Sequence, residues 1–277
     1  MLWQCGKITC PLPLLSEDGF MKKTHRKKNT ILVALIGVFS VLLLVSAYMI
    51  VSYFYHSKKE QQAFEALANV TFEASSQVDT DKGDTAALLG YRALQEQNPS
   101  FFGWIRIENT NINYPVMHTP DAPEYYLHRA FDGSHSRSGV PFLDAKCFKG
   151  CGNYLIYGHN MRDDSMFSAL LSYAEEDYRL QHPHIYFDTP DELGVYEVVA
   201  AFYSQAYEQE DEGVFRFYSY KNLSNAAVFN EYVALVNHAS LYDSAVDAKY
   251  GEALLTLSTC SSHIDDGRFV VVAKKIN

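Results

Sequence analysis

The segment Leu254-Leu255-Thr256-Leu257-Ser258-Thr259-Cys260 reads as a buried strand that ends in a cysteine. Leu255 and Leu257 alternate with Thr256 and Ser258, and β-branched and apolar residues dominate. The polar run Ser261-Ser262-His263-Ile264-Asp265-Asp266-Gly267 then stops the strand and opens a loop. Arg268-Phe269-Val270-Val271-Val272-Ala273 starts a second strand. A cysteine at a strand tip sits on a rigid element yet faces a loop-lined opening, with an arginine at the mouth of the next strand. That placement suits a nucleophile better than a core thiol.

Cysteine alone is a poor catalyst. At an ordinary pKa of roughly 8.5, only about 3 % is thiolate at pH 7, so Cys260 needs a cation or a base nearby. Arg268 is one candidate. His159 is the other, because Asn153-Tyr154-Leu155-Ile156-Tyr157-Gly158-His159-Asn160 is again an apolar strand that delivers polar side chains to its tip. His263, close to Cys260 in sequence, is the runner-up base. His182 and His184 have no acidic neighbour and read as a solvent-facing loop pair. Strand alternation puts Arg268 on the face of Val270 and Val272, where a fixed guanidinium suits an oxyanion or a substrate carbonyl. Pairing with Asp265 or Asp266 is the plainer alternative.

Thr256–Cys260 (TLSTC), followed by Gly267–Lys275 (GRFVVVAKK), with YGHN about a hundred residues upstream, resembles the sortases. Phe101–Val116 (FFGWIRIENTNINYPV), YYLH at 125–128, GVPFLD at 139–144 and SMF at 165–167 are similar to the class B branch. The resemblance runs from about Phe101 to the C-terminus. It implies a closed barrel of eight strands, with N-terminal helices packed on it and a helix inserted before the cysteine strand. It also implies transpeptidation. The Cys260 thiolate attacks a backbone carbonyl in the C-terminal sorting signal of a secreted protein. Protonated His159 supplies the proton to the leaving amine, and Arg268 hydrogen-bonds the substrate and the tetrahedral oxygen. An amine from a peptidoglycan precursor or a pilin then takes the acyl group. Family positions matching Leu127 and Ser258 line the peptide groove. Some class B members carry an acid just after the cysteine. Here Ser261-Ser262 stands there, so any role of that acid is not carried over.

The rest of the chain frames this site. Its 277 residues hold 23 Lys and Arg against 33 Asp and Glu, a net charge of −10. Residues 1–30 carry Lys7, Lys22, Lys23, Arg26, Lys27 and Lys28 against Glu17 and Asp18, a local +4 that leaves −14 for the remainder. An acidic body argues against nucleic-acid binding. Ile31 to Tyr55 is twenty-five residues without a charge, longer than the roughly 20 needed to span a bilayer. The basic cluster before it is expected to stay cytoplasmic, with Tyr53, Phe54 and Tyr55 at the far interface and the catalytic body outside. A cleaved signal peptide would have a shorter apolar core and a small-x-small site, which does not follow here. The expected organisation is a basic tail over 1–30, with translation starting at Met21, then a membrane helix over 31–55. A helical extension over 56–98 and a catalytic domain over 99–277 follow.

Within the extension, Phe64, Leu67, Val70 and then Leu88, Leu89 and Leu94 suggest two short helices, broken around Asp79–Asp84. The break lacks the Gly and Glu positions of a calcium loop and reads as a solvated turn. From Phe101 the period becomes two. A hairpin is expected at 104–107 and 112–116, with further strands at 139–144, 154–157, 185–187, 195–200 and 214–217 and a short helix over 161–171. Ser224 reads as the N-cap of a helix reaching His238. Many short strands and few helices make the fold mainly β and a closed barrel. Five cysteines without regular spacing form no disulfide framework. For Cys147 and Cys151, a local disulfide and two unpaired loop thiols both fit, and zinc spacing is lacking. No cofactor is called for. Two rivals stand beside the transpeptidase. One is an extracellular cysteine peptidase or cell-wall hydrolase that releases product to water, although papain-like enzymes place Cys before His. The other is a membrane-tethered scaffold in which Cys260 is inert.

Overall fold

The structure, a computed structural model, describes residues 18–76, 83–243 and 246–277. Expectations for residues 1–17 and for the turn at 79–82 lie outside the described residues. Two compact units divide the chain, Met1–His56 and Ser57–Asn277.

Helix α1, Asp18–Ser76, contains the apolar stretch. Thr30–Asn69 has a mean hydropathy of 2.7 in its most apolar window, none of it buried, and is long enough to cross a membrane. The first of the two expected extension helices is not separate. Residues 56–76 contain no Gly or Pro and are rich in Lys, Glu, Gln and Ala, so nothing breaks the helix at its apolar boundary. The second is α2, Gly83–Gln97, which ends where Pro99 cannot continue it. In the second unit Phe64 is buried edge-on against Tyr114. From α2, Tyr91 donates to Asp188 Oδ2 at 2.9 Å.

Eight strands close the barrel: β1 Phe101–Arg106, β2 Asn113–Met117, β3 Phe142–Leu143, β4 Asn153–Tyr157, β5 His184–Asp188, β6 Val195–Gln205, β7 Leu254–Cys260 and β8 Gly267–Lys275. Their order around the barrel is β1-β2-β3-β4-β7-β8-β6-β5. The β2–β3 and β4–β7 pairs are parallel, and the others are antiparallel. The β1–β2 hairpin turns through Asn109 at φ 60°, a left-handed position that Asn tolerates. Every residue of β7 before Cys260 is buried, so its polar alternation does not mark a wet face. Thr256 instead enters a buried chain under helix α4, Ala226–Ala239. Tyr232 bonds Thr256 at 2.7 Å, Thr256 Oγ1 donates to Asn153 Oδ1 at 2.9 Å, and Asn153 Nδ2 donates to the Tyr220 carbonyl at 2.7 Å.

Three local expectations are corrected. Asn225, not Ser224, caps α4, its side chain accepting from Ala227 N and Val228 N at 2.9 and 3.3 Å. The segment 161–171 is not one helix. Asp163 Oδ1 accepts from Ser165 N and Oγ, and Asp164 and Met166 take positive φ, so local bonds displace helical ones. A 3-10 helix at Ser168–Ala174 and helix α3, Glu176–Gln181, follow instead. The strand expected at 214–217 gives way to a 3-10 turn, Phe217–Ser219. Phe217 is buried against Phe202, while Arg216 is held by the carbonyls of Glu208 and Asp211.

Candidate active site

The parallel pairing of β4 with β7 sets Tyr157 opposite Ser258, so two residues further on His159 and Cys260 leave neighbouring strand tips together. Three bonds stitch these tips. Gly158 N donates to the Ser258 carbonyl at 3.1 Å, Thr259 Oγ1 to the Gly158 carbonyl at 2.8 Å, and Asn160 Nδ2 to the Cys260 carbonyl at 3.1 Å. Asn160 lies in the segment quoted for His159, but nothing in the sequence assigned it this contact.

Arg268 arrives from the other side. It is the cross-strand partner of Cys260 on β8. Ser261 N donates to the Gly267 carbonyl at 2.9 Å, so Cys260 and Arg268 form the neighbouring non-hydrogen-bonded pair, whose side chains stand closest and on one face. Cys260 is exposed, the one such residue of its strand, and Arg268 is half-buried. Arg268 pairs with neither Asp265 nor Asp266 through their carboxylates. Its Nη1 donates to the Asp266 and Gly267 carbonyls at 3.1 and 3.0 Å, which pins one arm of the fork and leaves Nη2 and Nε without a protein partner among the described residues.

Cys260, His159 and Arg268 line one cavity of about 600 Å³. Leu127 and Ser258 line it too. Leu127 does more than present a side chain. It sits in a 3-10 turn, Tyr125–His128, and its carbonyl accepts a hydrogen bond from His159 Nε2 at 2.9 Å. A carbonyl can only accept, so Nε2 carries hydrogen and Nδ1 is the atom that titrates. Burial pushes the imidazole below its ordinary value. The Leu127 carbonyl raises it again, and His128, stacked at 5.5 Å and 21°, lowers it. Ser258 Oγ is buried and has no hydrogen-bond partner among the described residues.

A further part of the cavity lining was not legible in the sequence. Asp144 Oδ2 accepts from Tyr157 OH at 3.0 Å and faces Lys221 Nζ at 3.4 Å, so a carboxylate, a phenol and an ammonium share one side of the cavity. Burial, then Asp144, pushes the Tyr157 phenol well above its ordinary value. His263 lies elsewhere, with Nδ1 against Ser261 Oγ at 2.9 Å and its ring on Tyr203 at 4.7 Å. His182 stacks on Tyr178 at 4.1 Å rather than facing solvent freely. Among the described residues, no group of three His, Cys, Asp or Glu side chains could hold a metal ion.

A nucleophile, an imidazole with a fixed tautomer and a guanidinium around one cavity can carry out acyl transfer. Comparison with known proteins points the same way. The Sortase domain profile matches residues 105–276. The chain is 30 % identical to Sortase B of Listeria monocytogenes over 195 residues, 67 % of this chain and 73 % of that one. It is 26 % identical to Sortase B of Staphylococcus aureus over 240 residues, 85 % and 93 % of the two chains. A Staphylococcus aureus sortase B–substrate complex superposes with a TM-score of 0.67 at 25 % identity, over 80 % of this chain and 99 % of that one. The β-barrel with its cysteine strand thus belongs to a member of the sortase family of cysteine transpeptidases, in the class B branch.

Proposed function

We propose that this chain is a membrane-anchored transpeptidase that cleaves a sorting signal near the C-terminus of secreted proteins and joins the acyl product to a cell-wall or pilin amine. The observation that carries the reading is the meeting of Cys260, His159 and Arg268 at one cavity, with Leu127 and Ser258 beside them. A relative of known structure has been solved with its substrate.

In this reading the Cys260 thiolate forms an Sγ–C bond to the scissile carbonyl. The C–N bond breaks as the His159 imidazolium gives its Nδ1 proton to the leaving nitrogen, and the free arm of Arg268 stabilises the oxyanion. An incoming amine then attacks the thioester, returns a proton to His159 and expels the thiolate. Burial of His159 disfavours the imidazolium, the form that the leaving-group step requires. Leu127 lines the peptide groove, and Ser258 lies in its wall with the hydroxyl buried. Residues 31–55 anchor the chain with the basic tail of 1–30 inside, and the extension at 56–98 and the catalytic domain at 99–277 lie on the outer face, where both substrates arrive.

The test is to incubate the full chain in detergent with a peptide library of sorting-signal variants, with and without oligoglycine or hydroxylamine. The expected products are a covalent acyl adduct on Cys260 and turnover accelerated by the amine. Cys260→Ala is expected to abolish both, and near-normal turnover in that variant would end the assignment. Turnover indifferent to amine would favour the peptidase alternative. Recovery of the native protein entirely in the soluble fraction would remove the anchor.

A further inference from the structure

Cys147 and Cys151 take no part in the chemistry above, yet the fold brings them together. Both are free and buried, exposed by 2 % and 0 %. Both Sγ atoms donate to one oxygen, the Asn153 carbonyl, at 3.5 and 3.2 Å, which gathers the two thiols around a single acceptor. Leu155 N donates to Cys147 Sγ at 3.5 Å. The loop is tightly turned. Cys147 N donates to the Asp144 carbonyl at 2.9 Å and Cys151 N to the Phe148 carbonyl at 3.0 Å. Gly150 and Gly152, at φ 81° and 88°, fold the chain back so that residues four apart meet. Among the described residues, no group of three metal-type side chains includes them.

We propose that Cys147 and Cys151 are a dithiol–disulfide couple that closes within the loop joining Asp144 to β4. Asp144, Ala145 and Lys146, at the start of this loop, line the catalytic cavity, and β4 leads from its end to His159. The linkage therefore ties the wall of the cavity to the root of the strand that presents the imidazole. The oxidant is an external disulfide of the glutathione type. One Sγ–Sγ bond forms, two electrons and two thiol protons pass to the oxidant, and the oxidant leaves as two thiols. The pair closes while the folding loop is still accessible and is covered afterwards.

The experiment uses the full chain in detergent carrying Cys260→Ala, which removes the exposed thiol as a competitor. The protein is unfolded and refolded in an excess of oxidised glutathione, capped with N-ethylmaleimide after denaturation, digested with trypsin and weighed. Trypsin cuts after Lys146 and Lys149, so Cys147 leaves on residues 147–149 and Cys151 on residues 150–162. The expected result is that these two peptides appear joined, two hydrogens lighter than their sum, and separate after reduction. Two maleimide-labelled peptides would overturn the proposal. So would either cysteine joined to glutathione or to Cys5 or Cys10. The readout does not involve turnover, so it stands or falls apart from the transpeptidase reading.

Discussion

Cys260 and Arg268 face each other across β7 and β8 as a non-hydrogen-bonded pair, and Arg268 Nη1 is already tied to the carbonyls of Asp266 and Gly267. The guanidinium is thus held in place without a peptide, and in the proposed reaction no reorganisation is needed as charge develops. This geometry separates charge from shape. Arg268→Lys keeps the cation but has no planar fork, so it cannot hold the main-chain carbonyls and a substrate oxygen together. The expected outcome is a fall in kcat/KM on the order of 10²-fold, with the far-ultraviolet dichroism unchanged. A loss under about threefold would mean that charge alone suffices.

His128 stacks on His159 and disfavours its protonation. His128→Phe keeps the stacked ring and removes the charge. Without that repulsion the His159 pKa rises, so the limb of the kcat/KM profile that reports His159 is expected to move to higher pH. An unmoved limb would show that burial and the Leu127 carbonyl set the imidazole by themselves.

Under the cysteine strand, Thr256 gives its single hydroxyl hydrogen to Asn153, so Tyr232 is the donor in their shared bond. Thr256→Val is nearly isosteric, but it leaves the Tyr232 hydroxyl and Asn153 Oδ1 buried without that partner. The expected cost is about 1–3 kcal/mol of unfolding free energy, measured by denaturant titration at unchanged slope. A change below about 0.5 kcal/mol would mean that the α4 contact to the strand rests on packing alone.

Period-two patterning located most of the strands because a barrel strand must commit alternate residues to one interior. It failed where the pattern was bent to other ends. Asp163 and Ser165 bonded locally and dissolved the helix expected over 161–171, and Arg216 captured carbonyls where a strand was expected. The number of strands and the roles at the site came from the family resemblance, not from periodicity. That Cys260, His159 and Arg268 reach one cavity was legible because each sits at the end of an apolar run. Asn160, the Leu127 carbonyl and the Asp144–Tyr157–Lys221 wall were not, because their partners are far away in sequence and nothing local marks a backbone acceptor.

Gly158 links the strand to His159, and its backbone is not left-handed, so conformational freedom is not what holds glycine there. Space is. A Cβ at this position would lie 2.6 Å from the ring of Phe167, which is fully buried and whose N donates to the His159 carbonyl at 2.8 Å. In Gly158→Ala either the ring or the strand tip must move, and the tip carries the bonds to Ser258 and Thr259 that set His159 beside Cys260. Small displacements of a proton donor cost far more in rate than in stability. The variant is expected to lose about tenfold or more in kcat/KM, while iodoacetamide still labels Cys260 at the parent rate. Adding Phe167→Leu removes the obstructing ring and is expected to restore part of the rate, making the two changes non-additive. If Gly158→Ala alone turns over normally, or if the second change compounds the loss additively, the contact with Phe167 does not position the imidazole.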